Sequence, residues 1–299
     1  MSIIFGPINS RRFGKSLGVD LSPSFKQCNF DCLYCELKSS KVTNSYKDIV
    51  GVDEVIKEIK EALEKYKDID FITITANGEP TLYPNLKELI KKINSFKGNI
   101  KSLILSNGST IYKKEVQEAL IEFDVVKLSL DCATKRCFKR VDRASKEIDL
   151  EDIKRGMLEF RKKFKNRFQI EILFVKGIND KKEEIEKLNQ FLLELKPNII
   201  DLNSIDRPPA YRVEGLSYNE LFEISTLFSK ELNINIANKK RIDAKFSYSK
   251  EEILETIKRR PLKREDIEAL FDINSKKELE ALLKTQKIEL KNGFYQLKE

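Results

Sequence analysis

Six short β-rich runs, separated by amphipathic stretches, constrain the fold of this chain more than any other feature. The runs are nearly continuously apolar and rich in Ile, Val and Leu, which is typical of strands buried on both faces. They span residues 18–22, 70–77, 100–107, 124–131, 168–175 and 198–205. Between them, apolar residues recur at helical spacing, for example from Val52 to Tyr66 and from Ile185 to Leu195. Six strand–helix units, fewer than the eight of a closed barrel, predict an α/β fold: an incomplete (βα)6 TIM-like barrel with a parallel sheet.

A second, smaller unit is predicted in the last fifty residues. Ser249 and Glu252 have the spacing of a capping box at the start of a helix, which Pro261 ends. Further helical stretches at 263–271 and 275–285 precede two alternating runs around Asn292-Gly293, a strong hairpin signal. Three helices and a terminal hairpin predict a winged helix-turn-helix. We therefore expect a barrel domain at 1–240 and a winged-helix domain at 249–299.

Composition limits the expected cellular location and the expected class of partner. No apolar run approaches the ~18 residues of a membrane span, and the first fourteen residues lack the apolar core of a signal peptide. We expect a cytoplasmic protein with no membrane partner, where clustered cysteines bind metal or react rather than cross-link. The formal net charge of +8 favours an anionic partner such as nucleic acid. Histidine is absent, which removes the usual general base at neutral pH.

Three cysteines lie close together just after the first predicted strand: Cys28, Cys32 and Cys35. One alternative is that they are incidental buried thiols. A zinc site normally needs four ligands, and without histidine the fourth would be Cys132, Cys137 or a carboxylate. The third alternative is a [4Fe–4S] cluster, which normally takes four thiolates. Holding it with three would leave one iron open to a substrate or cofactor.

The stretch CNFDCLYCE resembles the C-x3-C-x-aromatic-C motif of the radical SAM superfamily. GPINSRRFGKSLGVDL, NGEPTLYPNL, FVKGIND and NSIDRPPA extend the resemblance over about residues 5–210, to the wyosine-synthetase-like group of Fe–S oxidoreductases. The resemblance implies an enzyme in which the three cysteines hold a [4Fe–4S] cluster and the open iron binds S-adenosylmethionine (SAM). Reductive cleavage of SAM would give a 5′-deoxyadenosyl radical that abstracts hydrogen from a substrate. A flavodoxin or ferredoxin is the expected electron donor.

The resemblance also implies which residues contact SAM. Tyr34 matches the aromatic position that packs near the adenine. The stretch that receives the methionine amino group is similar to Asn77, Gly78, Glu79 and Pro80, with Asn77 in place of a first glycine. Polar residues at later strands match positions that contact the ribose and the carboxylate: Ser106, Asn107, Ser129, Asp131, Glu171, Asn203 and Ser204. For Glu171, pairing with a basic side chain is the alternative.

Two further cysteines, Cys132 and Cys137, follow the fourth predicted strand. Cys132 is expected near the barrel mouth, where it is a candidate catalytic thiol, either a hydrogen donor or a covalent attachment point. The alternative is an ordinary buried or loop thiol. The same stretch carries the strongest basic patch of the chain, which suits RNA phosphates or forms a solvated helix face: Lys135, Arg136, Lys139, Arg140 and Arg143.

Other basic residues flank the predicted barrel mouth. Arg11, Arg12 and Lys15 precede the first predicted strand. They are expected to hold an anionic substrate or line the active-site opening, with a solvated basic arm as the alternative. Arg207 follows the sixth predicted strand, where it could reach a carboxylate or a phosphate.

Three functions compete. The favoured one is a radical SAM enzyme that modifies RNA, and the second is one that modifies a peptide or protein. The near-neutral C-terminal unit, with 12 basic and 11 acidic side chains in 249–299, weakens its case as a nucleic-acid binder. The third is a redox-sensing DNA-binding regulator, which the large barrel argues against because a sensor needs no such cofactor-binding sheet.

Overall fold

The computed structural model describes residues 2–10, 13–236, 247–259, 261–291 and 293–298. Its larger part is an eight-stranded sheet whose strands neighbour one another in chain order. The strands are β1 Ile4–Ser10, β2 Gly14–Asp20, β3 Phe71–Thr75, β4 Lys101–Ser106, β5 Val125–Ser129, β6 Arg167–Phe174, β7 Ile199–Ser204 and β8 Ile234–Ile236. The helices are α1 Val52–Lys65, α2 Leu86–Phe96, α3 Lys114–Leu120, α4 Lys135–Val141, α5 Leu150–Lys163, α6 Lys182–Leu195 and α7 Tyr218–Ser225.

The sheet is parallel from β2 to β8. β1 is the exception, because it pairs antiparallel with β2, with Ile4 opposite Val19. β1 and β8 end the strand order, so the sheet does not close into a ring within the described ranges. The predicted parallel sheet of an incomplete TIM-like barrel is confirmed, and the carboxyl ends of β2 to β8 share one edge of the sheet.

The six predicted strands are present as β2 to β7, and two strands were not predicted. β1 contains Pro7, a residue that is rare inside strands. An edge strand tolerates proline because one side of its backbone has no partner strand. β8 has three residues, too few for a periodic pattern. The first predicted strand also lies earlier than expected, at Gly14–Asp20 rather than 18–22.

The two faces of the sheet differ in chemistry. Ile104, Val126 and Ile170, on the outer face, are fully buried in the main core with the flanking helices. The register places the opposite set of residues on the inner face, where polar side chains lie towards the carboxyl ends of the strands: Asp20, Thr75, Lys127, Glu171 and Asp201. Nearer the amino ends, the inner-face residues Phe71, Leu103 and Val125 form a small buried apolar cluster with Phe13. The strands are therefore largely buried on both faces, as expected, but the inner face is polar at its carboxyl end.

The C-terminal unit contains α8 Lys250–Arg259, α9 Arg264–Leu270 and α10 Ile273–Lys284. Its strands β9 Leu262–Lys263, β10 Ile288–Lys291 and β11 Phe294–Leu297 form an antiparallel sheet in the order β10, β11, β9. The predicted capping box is present, since Ser249 N donates to Glu252 Oε2 at 2.9 Å and Glu252 N to Ser249 Oγ at 3.3 Å. The hairpin lies at its predicted place, although Asn292 is outside the described residues.

The C-terminal unit has its own apolar core and also contacts the larger part. Its core includes Ile253, Phe271 and Leu282. α8 and α9 pack against β1, where the Tyr248 hydroxyl donates to the Pro7 carbonyl. The predicted boundary between the two domains lies mostly in residues 237–246, outside the described part.

None of the helices in the described ranges has the length and apolar character needed to cross a lipid bilayer.

Candidate active site

The clustered cysteines lie on an irregular segment between β2 and α1, beyond the carboxyl end of β2. All three are free; Cys28 is buried, whereas Cys32 and Cys35 are half-buried. Two donors reach their sulfurs: Phe30 N lies 3.4 Å from Cys28 Sγ, and the Lys26 ammonium lies 3.6 Å from Cys35 Sγ. Such donors stabilise negative charge on sulfur, as a cluster ligand requires.

The arrangement of these sulfurs fits a cluster better than a single ion. Among the described residues, the group of three Cys, Asp or Glu side chains whose ligand atoms all lie within 4.8 Å of one another is Cys132, Cys137 and Glu184, so the three clustered sulfurs are more widely spaced. A tetrahedral zinc ion holds its thiolates within roughly 4 Å of each other. Burial raises the pKa of Cys28 to about 12, so cluster binding must displace a proton there.

Gly78 joins the cysteine segment to the end of β3. Gln27, next to Cys28, donates its N–H to the Asn77 carbonyl at 2.9 Å and accepts from Glu79 N at 3.0 Å. A Cβ atom at Gly78 would lie 1.9 Å from the Gln27 carbonyl oxygen, and the φ angle of +146° favours glycine. The predicted stretch from Asn77 to Pro80 therefore fixes the position of the first cysteine.

The Glu79 carboxylate is turned inward and is fully buried. It accepts hydrogen bonds from Thr81 N at 2.9 Å, Ser106 Oγ at 2.7 Å and Asn107 N at 2.7 Å. Pro80 then begins a short 3-10 helix, Pro80–Leu82. Burial raises the pKa of Glu79 despite these donors. With its carboxylate committed to these bonds, Glu79 organises the loop.

Ser106 and Asn107, at the end of β4, are part of the same arrangement. Ser106 is occupied by its bond to Glu79, whereas the Asn107 amide points towards the cysteine segment. Asn107 Nδ2 lies 3.7 Å from Cys28 Sγ and donates to Asn29 Oδ1 at 3.0 Å. Asn107 is thus the predicted strand-end residue that the structure brings next to a predicted cluster ligand.

Tyr34 and Asp131 lie against each other. The Tyr34 hydroxyl donates to Asp131 Oδ2 at 2.5 Å, and Leu173 N donates to Asp131 Oδ1 at 2.7 Å. Burial raises the pKa of Asp131 to about 7, and burial together with the nearby Asp131 carboxyl raises the pKa of Asp142 as well. Tyr34, predicted to pack near adenine, is therefore held in place through its hydroxyl.

Ser129 and Cys132 line a small pocket behind Asp131 with Asn107, Phe30 and other apolar side chains. Cys132 is 1% exposed and forms a disulfide with Cys137 at the start of α4. The predicted hydrogen-donor thiol would thus require reduction of this bond and a path from a buried position.

Glu171 does pair with a basic side chain, the alternative considered for it. The Lys127 ammonium on β5 lies 2.5 Å from Glu171 Oε1 and 3.0 Å from Asp201 Oδ2. Asn203 donates to Glu171, so two residues predicted to contact SAM belong to one network. Lys127 and Asp201 were not among the predicted site residues. Their signal was a charged residue inside an apolar run, two positions before Ser129 and Asn203 respectively.

The segment after β7 folds over the cysteine segment. Arg207 pairs with Glu36, and its Nη1 lies 2.6 Å from Glu36 Oε2. Ala210 N donates to the Cys35 carbonyl at 2.8 Å, and the Tyr211 hydroxyl donates to Asp31 at 2.5 Å. We call residues 207–211 the covering segment. The carboxylate that Arg207 reaches is therefore one of the protein's own.

Lys15, the described member of the basic group before the first predicted strand, does not line the site. Lys15 lies near the amino end of β2, at the opposite edge of the sheet from the cysteines, with Asp68 3.8 Å away. The expectation for Lys15 at the active-site opening was wrong because β2 begins earlier than predicted. Arg11 and Arg12 lie outside the described residues.

Comparison with known proteins agrees with this geometry. The family model described as the radical SAM superfamily matches residues 22–192. A Helicobacter pylori J99 protein named UPF0026 protein is 43% identical over 294 residues, covering 97% of this chain and 95% of the relative. A Campylobacter jejuni GTP 3′,8-cyclase is 26% identical over 216 residues, covering 71% of this chain and 64% of the relative.

Among solved structures, one described as TYW1 with a lysine–pyruvate adduct bound aligns with a TM-score of 0.53 and 21% identity, covering 75% of both chains. Streptococcus suis SuiB bound to its precursor peptide SuiA aligns with a TM-score of 0.58 and 17% identity, covering 73% of this chain and 48% of SuiB. These likenesses support the fold alone. With the cysteine motif, the parallel sheet and the family match together, the chain belongs to the radical SAM superfamily, enzymes that use a [4Fe–4S] cluster and SAM.

Proposed function

We propose that this radical SAM enzyme modifies RNA, with Cys28, Cys32 and Cys35 holding the cluster. The bound cluster supplies the electron that cleaves SAM and so generates the radical. Residues of the chain would enclose the cluster: Asn107 lies beside Cys28, and the covering segment lies over Cys35. We place SAM against Tyr34, residues 77–80 and the strand ends, as the resemblance implies.

The observation that carries the choice of RNA is the surface of α4. Its exposed cations lie together on the helix that follows β5; we call them the α4 basic face: Lys135, Arg136, Lys139 and Arg140. Lys135 is paired with Asp149 at 2.6 Å, whereas Lys139 and Arg140 have no ion pair within the described ranges. An exposed row of cations suits a phosphate backbone.

The α4 basic face can be tested by RNA binding at several salt concentrations. Replacing Lys139 and Arg140 with Ala should weaken tRNA binding and lower the salt slope of log K by about 1 to 2, since about two phosphate contacts are lost. The control replaces Lys162 and Lys165, exposed cations near the end of α5, with the same charge change. Equal effects of the two double variants would contradict a specific role for α4.

The chemistry is tested by reconstituting the protein anaerobically with iron and sulfide, then adding reductant and SAM. We expect 5′-deoxyadenosine from the wild type and none from Cys28→Ala, Cys32→Ala or Cys35→Ala. Nucleoside profiles of tRNA and rRNA, compared with and without the gene, then address the substrate. An unchanged profile would count against RNA.

Modification of a peptide or protein is the second candidate. It is favoured by the C-terminal unit, which has 12 basic and 11 acidic residues. Winged helices that bind nucleic acid are usually basic. We propose that this unit is a winged helix, supported by its three helices and small antiparallel sheet. The domain division at 1–240 and 249–299 belongs to the same proposal, supported by the separate C-terminal core.

We also propose a cytoplasmic location, with a flavodoxin or ferredoxin as the electron donor. The three cluster cysteines must stay reduced to bind iron, and the cytoplasm keeps thiols in that state. Reduction of the reconstituted cluster by purified flavodoxin or ferredoxin, followed spectroscopically, tests the choice of donor.

A further inference from the structure

The inner face of the sheet holds a charged network across three adjacent strands. Lys127 on β5 contacts Glu171 on β6 and Asp201 on β7, and Asn235 Nδ2 donates to Asp201 Oδ1 at 2.6 Å. The register places Ser129, Glu171, Asp201 and Asn235 side by side in one row. Lys127 lies one inner-face position below this row and reaches up to it.

The members of the network are unequally exposed. The side chains of Lys127 and Asp201 are 5% and 1% exposed, whereas that of Glu171 is 28% exposed. Leu105, level with Lys127 on the inner face, is 36% exposed, although Leu103 earlier on β4 is 1% exposed. The inner face is therefore open above this level, and Glu171 is the charged member of the triad that faces the opening.

Buried charges carry a desolvation cost that a single ion pair does not reliably offset. Two carboxylates and one ammonium are held here beneath an open space. Apolar side chains at these positions would carry no desolvation cost. Lys127 also fixes one oxygen of Glu171, since its ammonium lies 2.5 Å from Glu171 Oε1. A fixed carboxylate facing an opening is a hydrogen-bond acceptor for hydroxyl donors.

We propose that Lys127 and Asp201 are positioning residues that hold Glu171 as an acceptor for the ribose hydroxyls of SAM. This inference rests on the proposed contact between Glu171 and SAM, not on the choice of RNA as substrate. The Glu171 carboxylate would repel the carboxylate of SAM, so the ribose hydroxyls are its expected partners. Lys127 acts through Glu171, and Asp201 on β7 holds the Lys127 ammonium in place.

The test measures equilibrium binding of SAM, and of a SAM analogue without the 2′ and 3′ hydroxyls, to the reconstituted protein. Lys127→Met should weaken SAM binding about tenfold or more, as expected for loss of a charged hydrogen bond, but change analogue binding less than about twofold. Lys127→Arg should retain most of the SAM affinity. Lys97→Met breaks the ion pair between Lys97, at the end of α2, and Asp124, just before β5, and should leave both affinities unchanged.

Lys127→Met leaves two carboxylates without their cation and could fail to fold. The charge-matched Lys127→Met/Asp201→Asn variant avoids this problem and should show the same loss for SAM alone. Equal weakening of SAM and analogue, or no weakening of either, in this double variant would overturn the proposal. RNA profiles do not enter the measurement, so failure of the RNA proposal leaves this result interpretable.

Discussion

At the residue scale, single positions connect the parts of the site. Gly78 fits against the Gln27 backbone, Glu79 binds the end of β4, and Asn107 reaches Cys28. Each contact joins a different strand end to the cysteine segment. The cluster ligands are thus held from several strands, although they come from one short stretch of sequence.

Gly78→Ala should impair both folding and cluster binding. The added Cβ would lie 1.9 Å from Gln27 O, and a φ of +146° is strained for any other residue. We expect a loss of at least roughly 2 kcal/mol of stability and a lower iron content after reconstitution. Gly98→Ala is the control, because Gly98 has a φ of +57° but open space around it. Similar losses in both variants would mean that strain alone, not the contact with Gln27, determines the effect.

Asp131 should make stability depend on pH. Burial raises its pKa to about 7, above the unfolded value of 3.8, so the folded state favours the protonated form. Its stabilising contribution is complete below about pH 4 and is lost as the pH rises towards 7. The groups that face it are Tyr34, Asp142 and Glu171.

Urea unfolding of the metal-free protein between pH 4 and 7 measures this dependence. We expect stability to fall by roughly 2 to 4 kcal/mol over this range in the wild type, and by less in Asp131→Asn. Asp152→Asn, an exposed change on α5, should follow the wild type. Identical pH profiles for wild type and Asp131→Asn would contradict the prediction.

Some of the site residues could be predicted from the sequence, and others could not. The resemblance to the radical SAM motif singled out the cysteines and Gly78 before the structure, whereas the close fit of Gly78 against Gln27 was not predicted. Lys127 and Asp201 looked like interruptions of apolar runs. Their meaning depends on which face of a strand they occupy, and that requires the pairing register.

At the scale of elements, the helices could be predicted from the sequence and the covering segment could not. Amphipathic helices such as α1 and α6 were predictable because their periodicity records which side they bury. Residues 207–211 have no periodic pattern, since Arg207, Ala210 and Tyr211 are held by separate contacts with Glu36, Cys35 and Asp31. β1 and β8 escaped prediction for related reasons: one contains a proline and the other is very short.

Arg207→Ala should open the covering segment more often. Loss of the partly exposed pair with Glu36, at roughly 1 kcal/mol, should speed loss of the reconstituted cluster in air about fivefold. Absorbance of the cluster over time gives the rate. Arg155→Ala removes an arginine–carboxylate pair on α5 and should leave the rate unchanged. A wild-type rate in Arg207→Ala would show that the segment does not shield the cluster.

At the scale of the whole molecule, two units with separate cores share a contact along β1. Glu252 on α8 pairs with Lys65 and accepts from the Tyr66 hydroxyl at 2.5 Å, and Lys263 reaches Asp206 beside the covering segment. Both units were predictable from periodicity and caps. Their contact was not, because it depends on isolated polar side chains far apart in sequence.

Tyr66→Phe should loosen this contact by removing one hydrogen bond to Glu252. We expect a loss of about 1 kcal/mol of stability, together with faster hydrogen exchange in β1. Tyr218→Phe, at a half-exposed tyrosine on α7, is the control and should change neither measurement. Faster exchange confined to the C-terminal unit, with β1 unaffected, would contradict the predicted coupling.

The antiparallel strand at the start of the chain has a consequence for the order of synthesis. A ribosome makes β1 well before it makes α8 and α9, which pack against it. Until those residues emerge, the newly made barrel presents an unprotected strand edge, the kind of surface that recruits other unfinished chains. Nascent chains stopped before residue 249 should therefore aggregate more readily, or bind chaperones longer, than the finished protein.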